Sequence, residues 1–184
     1  MILDAASYLS DGINMEKFQL CLEFCNNIFI SAPTGAGKTT FLIEKFLAKV
    51  VQEGKKILYL VPRTILLAQI QEDIRVTETQ FPELAEIVNK NVDVVTYHSV
   101  GNLYQMGCSK IYDYIICDEA HTILTESTYA TESYQEAYDF LTNQIDAKKI
   151  YVSATIEAFR KFVMFDQQLK EVQIDDSTHL ASFA

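Results

Sequence analysis

Ala32-Pro33-Thr34-Gly35-Ala36-Gly37-Lys38-Thr39-Thr40 is the stretch on which the reading of this chain turns. It follows a short β-prone run, Asn27 to Ser31, and opens a helical pattern from Lys38 to Val51. Strand, glycine-bearing turn and helix, in that order, form the setting in which a loop can cradle phosphate. Gly35 and Gly37 let the backbone bend so that successive N–H groups point inward at phosphate oxygens. The helix beginning near Lys38 adds its positive N-terminal dipole. Lys38 can reach β- and γ-phosphates as a point charge, and the Thr39 hydroxyl can ligate Mg²⁺. Ala32 stands where the usual pattern has its first glycine. The plainer alternative is a glycine turn with a surface lysine.

Outward from this loop the chain alternates strand-like and helix-like segments. Strands are expected at Lys56 to Val61, Val92 to Thr96, Tyr112 to Cys117 and Lys149 to Ser153, with a last one at Val172 to Ile174. Helices are expected at Asn14 to Cys25, Thr64 to about Thr77, Glu132 to Asn143 and Ile156 to Phe165, with Pro82 interrupting the region after Thr77. Short apolar strands spaced by helices imply βαβ units and an α/β fold: a central, mostly parallel sheet covered by helices on both faces. Ligands of such sheets sit at the carboxyl ends of the strands.

Two further groups fall at such ends. Asp118-Glu119-Ala120-His121 follows the strand Tyr112 to Cys117. Asp118 there can hold Mg²⁺, and Glu119 can orient and deprotonate an attacking water. Adjacent carboxylates after a buried strand cost desolvation and so need a reason, although an acidic loop start is the bland alternative. His121 is either a contact to the γ-phosphate site or a polar loop residue. Ser153-Ala154-Thr155 follows the next strand. Its hydroxyls can bond His121 and sense the nucleotide, or cap the helix that starts near Ile156.

Composition bounds the rest. The chain has 184 residues, 49% hydrophobic and 22% charged, with 6 Gly and 3 Pro. That suits one domain burying roughly 70% of its unfolded surface. With 15 Lys and Arg against 25 Asp and Glu, the net charge is −10. Bulk charge therefore excludes a general nucleic-acid binder and leaves a local patch. Between Ile111 and Ala147 there are eight acids and no Lys or Arg, a solvated acidic face or one matched to a basic partner. Cys21, Cys25, Cys108 and Cys117 form no C-x-x-C pair and have no zinc spacing with the three histidines. Asp4, Asp11, Glu16, Lys17 and Glu23 interrupt any apolar signal region, and the apolar runs fall far short of the ~20 residues of a membrane helix. These features point to a reducing, cytoplasmic setting without a membrane.

Taken together the motifs resemble those of superfamily 2 helicases and translocases. Ala32 to Thr40 resembles motif I (A-x-T-G-x-G-K-T), Asp118 to His121 the DExH form of motif II, and Ser153 to Thr155 motif III (S-A-T). Val61-Pro62-Arg63-Thr64 with Leu67-Ala68-Gln69 is similar to motif Ia, with its Arg and Thr in reversed order. Val95-Thr96-Tyr97-His98 sits where a T-x-x-x-L motif begins. Lys38 and Asp118 are 80 residues apart, and Asp118 and Ser153 are 35 apart. The surroundings of motif Ia look closer to the DNA-translocating and restriction-type branch than to the RNA helicases.

The resemblance implies a P-loop NTPase domain of RecA-like fold over residues 1–174, with 175–184 a tail or the start of a linker. It implies Mg-ATP as ligand, with Ala32 to Thr40 around the phosphates and Gln19 reading adenine. It implies a DNA or RNA strand held by its backbone through Pro62, Arg63, Gln69, Thr96 and His98. Family motors close ATP between two RecA-like halves, the second supplying arginine fingers. This sequence has three arginines, Arg63, Arg75 and Arg160, none in a finger motif. The expectation is therefore one half of a nucleic-acid-dependent ATPase, weak alone and completed by a second RecA-like domain in cis or trans. The alternative is a stand-alone P-loop binding module without turnover.

Overall fold

The computed structural model describes residues 2–4, 13–80, 82–100, 111–126 and 131–167. Among these residues six strands form one sheet: β1 (Ile2–Asp4), β2 (Asn27–Ser31), β3 (Ile57–Val61), β4 (Val92–Thr96), β5 (Tyr114–Asp118) and β6 (Lys148–Ser153). Their spatial order is β1-β2-β6-β5-β3-β4, and every pairing is parallel. The helices are α1 (Met15–Phe24), α2, α3 (Thr64–Gln80), α4 (Pro82–Asn91), α5 (Thr122–Thr125), α6 (Thr131–Asn143) and α7 (Glu157–Gln167). α2 runs through three consecutive stretches, Lys38–Thr40, Phe41–Leu47 and Ala48–Gln52. Its middle is wound to i→i+5 bonding, as when the Ala48 N–H donates to the Ile43 carbonyl.

Period-two alternation explains the two layers. Along β3, Ile57, Tyr59 and Val61 face one side, where Phe18, Leu22, Phe41, Phe46, Val50 and Ile74 pack on them. Leu58 and Leu60 face the other, with Tyr97, Tyr134, Leu141, Tyr151 and Phe159. Both faces are buried, so the strand reads as an unbroken apolar run. Aromatic edges lock the first layer: Phe18 meets Phe41 and Phe46 with ring centroids 5.2 and 5.4 Å apart. The Asn14 side chain starts α1 by accepting from the N–H groups of Glu16 and Lys17 at 2.9 and 3.2 Å.

The expected strands and helices over residues 14–167 are present, with informative differences. β1 was not legible in a three-residue run. Pro82 interrupts the helical region as expected and also begins the next helix, because the first helical position has no use for the N–H that proline lacks. The acidic strand extends to Asp118. The expected strand Val172 to Ile174, the tail 175–184 and Cys108 lie outside the described residues. Cys21, Cys25 and Cys117 are free thiols, and no helix of the described residues is long and apolar enough to cross a membrane.

Candidate functional site at the carboxyl ends of the strands

β6 lies between β2 and β5, so the loop after β2 and the acidic turn after β5 both border Ser153. The Ala32 N–H donates to the Ser153 carbonyl at 3.2 Å. Ala32 itself is 2% exposed and joins the core beneath the loop, which accounts for a methyl where the usual pattern has glycine. The loop then turns left-handed at Gly35 (φ +80°) and Gly37 (φ +76°). Nothing lies within 4 Å of where a Gly35 Cβ would be, so backbone conformation and not crowding demands glycine there.

Lys38 bends back over this loop. Its ammonium donates to the carbonyls of Ala32 at 3.0 Å and Pro33 at 3.5 Å, and stands 3.8 Å from Glu119 Oε1. Thr39 and Thr40 follow it, half-buried.

Asp118 closes β5 and is 8% exposed. Its Oδ1 accepts the Glu119 N–H at 3.0 Å and its Oδ2 the Tyr59 hydroxyl at 3.4 Å. Its backbone carbonyl accepts the Tyr97 hydroxyl at 2.8 Å. Burial, followed by the neighbouring Glu119 charge, pushes its carboxyl up to about 6, against the opposing pull of the Glu119 N–H, Lys38 and Tyr59.

Glu119 adopts φ +46°, a left-handed conformation that strains a residue with a Cβ. Flanking bonds hold the turn: the Ala120 N–H donates to the Val152 carbonyl at 3.0 Å, and the Thr122 N–H and hydroxyl donate to the Glu119 carbonyl, each at 2.9 Å. Glu119 Oε2 accepts from the Ser153 hydroxyl at 3.3 Å and lies 3.3 Å from His121 Nδ1. His121 Nδ1 is 2.6 Å from the Ser153 Oγ, which is fully buried. With Ser153 donating to Glu119, the Nδ1–H of His121 donates to Ser153. The Thr155 N–H also donates to that Oγ, at 3.1 Å, while its own side chain is exposed.

The structure thus brings Lys38, Asp118, Glu119, His121 and Ser153 together beside the glycine loop. It does not bring Gln19 there. The Gln19 amide donates to Glu53 at 3.4 Å, beyond the end of α2 opposite the loop. Since α2 is about 22 Å long at about 1.5 Å per residue, Gln19 is withdrawn from the nucleotide-facing set. Pro62, Arg63, Thr96 and His98 gather at the carboxyl ends of the neighbouring strands β3 and β4, where Val61 pairs with Thr96. Gln69 is exposed on the second turn of α3, and His98 is exposed. The Thr96 hydroxyl is committed: it accepts the Ser99 N–H at 3.1 Å and bonds the Ser99 hydroxyl at 2.9 Å, capping the helical turn 97–100. Sequence reasoning missed Tyr59 and Tyr97, the two buried hydroxyls that hold Asp118. The one signal for Tyr59 was a hydroxyl inside the otherwise aliphatic run of β3.

Comparison with known proteins follows the same lines. A profile of the family described as type III restriction enzyme, res subunit, matches residues 15–158. No curated protein matches this chain. Among solved structures, a DEAD box protein from the hyperthermophile Methanococcus jannaschii aligns with TM-score 0.59 and 19% identity, over 89% of this chain and 52% of that one. The ATP-dependent type ISP restriction-modification enzyme LlaBIII, bound to DNA, aligns with TM-score 0.55 and 21% identity, over 83% of this chain and 13% of that one. S. cerevisiae Dbp5, in a complex with Nup159, Gle1, IP6 and ADP, aligns with TM-score 0.55 and 19% identity, over 88% of this chain and 50% of that one. The chain spans about half or less of the length of these structures.

Proposed function

This chain belongs to the type III restriction enzyme res-subunit family, a superfamily 2 helicase-type ATP-binding domain, and from that premise we propose that it binds Mg-ATP at the carboxyl ends of β2, β6 and β5 and hydrolyses it as one half of a nucleic-acid-dependent motor. The observation that carries this reading is the single network Lys38–Glu119–Ser153–His121, set against the glycine loop and the buried Asp118.

The residues fit the ligand. The Lys38 ammonium rests on two neutral carbonyls, acceptors that phosphate oxygens outcompete by charge. The Asp118 carboxylate is buried with its charge disfavoured, a condition a cation relieves. Asp118 and Thr39 would hold Mg²⁺, which when bound neutralises charge across the phosphates.

The geometry also suggests how binding readies the base. Glu119 Oε2 is taken by Ser153 and His121, and Oε1 faces Lys38. When Lys38 leaves for a phosphate, Oε1 is freed to accept a proton from water while Oε2 remains anchored. His121 and Ser153 then act as positioning residues that fix the carboxylate. Pro62, Arg63, Gln69 and His98 are the strand-contacting candidates, gripping phosphates without reading bases.

Each arginine of the chain already faces a carboxylate: Arg63 with Glu126 at 3.0 Å, Arg75 with Glu72 at 2.7 Å and Arg160 with Glu157 at 2.6 Å. A finger for the transition state therefore comes from a second RecA-like half, in cis or trans. The test is steady-state turnover by the 184-residue chain. Weak Mg-ATP binding and slow hydrolysis, little changed by single- or double-stranded nucleic acid, are expected. Robust nucleic-acid-stimulated turnover by this chain alone would overturn the half-motor reading.

A further inference from the structure

Arg63 presents an exposed cation at the carboxyl end of β3, with its side chain 71% exposed. Its Nη2 donates to Glu126 Oε1 at 3.0 Å. Glu126 directly follows α5, the short helix that leaves the acidic turn, and its side chain is 30% exposed. Its other oxygen, Oε2, accepts the Tyr134 hydroxyl from α6 at 2.9 Å. The Arg63 bond first, and the Tyr134 bond next, hold the Glu126 carboxyl below its usual range, so it is ionised at neutral pH. A carboxylate offers a guanidinium much what a phosphate does: paired anionic oxygens in one plane with the fork of donors.

We propose that Glu126 is an internal stand-in for a strand phosphate: it occupies Arg63 in the strand-free protein, and a nucleic-acid backbone must displace it to bind. This inference rests on the reading of Arg63 as a backbone contact. Two consequences follow. The strand-free protein keeps the Arg63 cation at this end of β3 neutralised, which lowers affinity for nucleic acid in a chain already carrying net charge −10. Displacement also disturbs a carboxylate bonded to Tyr134, whose ring packs on Tyr97 with centroids 6.1 Å apart. Tyr97 in turn holds the Asp118 carbonyl. Strand occupancy at Arg63 is therefore three side chains from the acidic turn.

The experiment is a fluorescence-anisotropy titration of a labelled single-stranded oligonucleotide at low salt. It compares the unaltered chain with Glu126→Gln, Glu126→Asp, Arg63→Ala, the double variant Arg63→Ala/Glu126→Gln and the charge control Glu132→Gln. Gln keeps the size of Glu126 and an acceptor for Tyr134 but loses the charge; Asp keeps the charge and falls short of Arg63. Both should bind about two- to fivefold tighter, the scale of releasing an exposed ion pair. The gain should vanish in the Arg63→Ala background and exceed that of Glu132→Gln. A gain that persists without Arg63, or that Glu132→Gln matches, overturns the inference. If Arg63→Ala binds less tightly but both Glu126 variants bind like the unaltered chain, the stand-in role fails and the backbone-contact reading survives. If Arg63→Ala binds like the unaltered chain, that reading fails and takes the inference with it.

Discussion

Replacing Lys38 by Ala separates what this side chain does for the fold from what it does for the ligand. Its ammonium bonds the Ala32 carbonyl at 3.0 Å and approaches Glu119 at 3.8 Å, with the lysine side chain 10% and that of Glu119 29% exposed. A hydrogen bond of this kind contributes about 1 kcal/mol net, and a partly exposed ion pair at 3.8 Å at most about as much again. Loss of about 1–2 kcal/mol lowers the melting temperature of a domain this size by only about 2–8 °C. The ligand loses far more. Two charge-assisted contacts, to the β- and γ-phosphates, at about 1.5–3 kcal/mol each, correspond to about a hundredfold or greater loss of ATP affinity. ADP forfeits only the β contact and should lose about the square root of that factor. Isothermal titration calorimetry with ATP and ADP, alongside a thermal melt, reads all three quantities. ATP affinity within threefold of the unaltered chain, with the melt in the expected range, would refute the phosphate-loop assignment. A collapse of the melt by tens of degrees would instead show that the bonds to Ala32 and Glu119 had been undervalued.

Two further outcomes follow from the same geometry. Glu119→Gln keeps the acceptor for Ser153 but removes the base, so turnover should fall about 10²-fold or more while ATP affinity stays within threefold; equal turnover by the two proteins in a phosphate-release assay would exclude Glu119 as the base. Tyr151 is fully buried, and its hydroxyl has no hydrogen-bond partner among the described residues. Tyr151→Phe should therefore raise stability by a few tenths to about 1 kcal/mol in urea denaturation, since an unpaired buried hydroxyl opposes folding; a loss of more than about 1 kcal/mol would reveal a partner that the packing conceals.

The glycine loop, the acidic turn and the Ser153 turn were legible as structure because each is contiguous in sequence and each follows a strand. The elements were legible for a related reason: β3 is buried on both faces, so its five residues read as one apolar run. What escaped was contact between distant segments. Tyr59 meets Asp118 across 59 residues, and Arg63 meets Glu126 across 63. Neither separation is visible until the strand order is known, because the chain runs from β3 to β4 at the sheet edge and then crosses back over β3 to place β5 on its other side. Gln19 failed differently. Helical periodicity assigns a side chain to a face, but not to a height along the neighbouring helix, and here height carries Gln19 to Glu53 and away from the loop. Pro82 was ambiguous because the same missing N–H that forbids a helix interior suits a helix start.

The position of β6 ties the separate motifs into one device. Were β2 and β5 adjacent, Lys38 and Glu119 could meet without any third element. With β6 between them, Ser153 touches both: its carbonyl takes the Ala32 N–H, and its hydroxyl bonds Glu119 and His121. If Lys38 exchanges a carbonyl for a phosphate as proposed, a shift of the loop would reach the strand end that orients Glu119. The strain at Glu119 points the same way. A left-handed φ in a residue with a Cβ costs about 1–3 kcal/mol and persists only where its surroundings over-determine it. Here the Val152 carbonyl, the Thr122 hydroxyl, Ser153 and His121 do so. Two of the four hold the backbone of the turn, and Ser153 and His121 hold the carboxylate itself. Its Oε1 is left 3.8 Å from the Lys38 ammonium, beside the glycine loop.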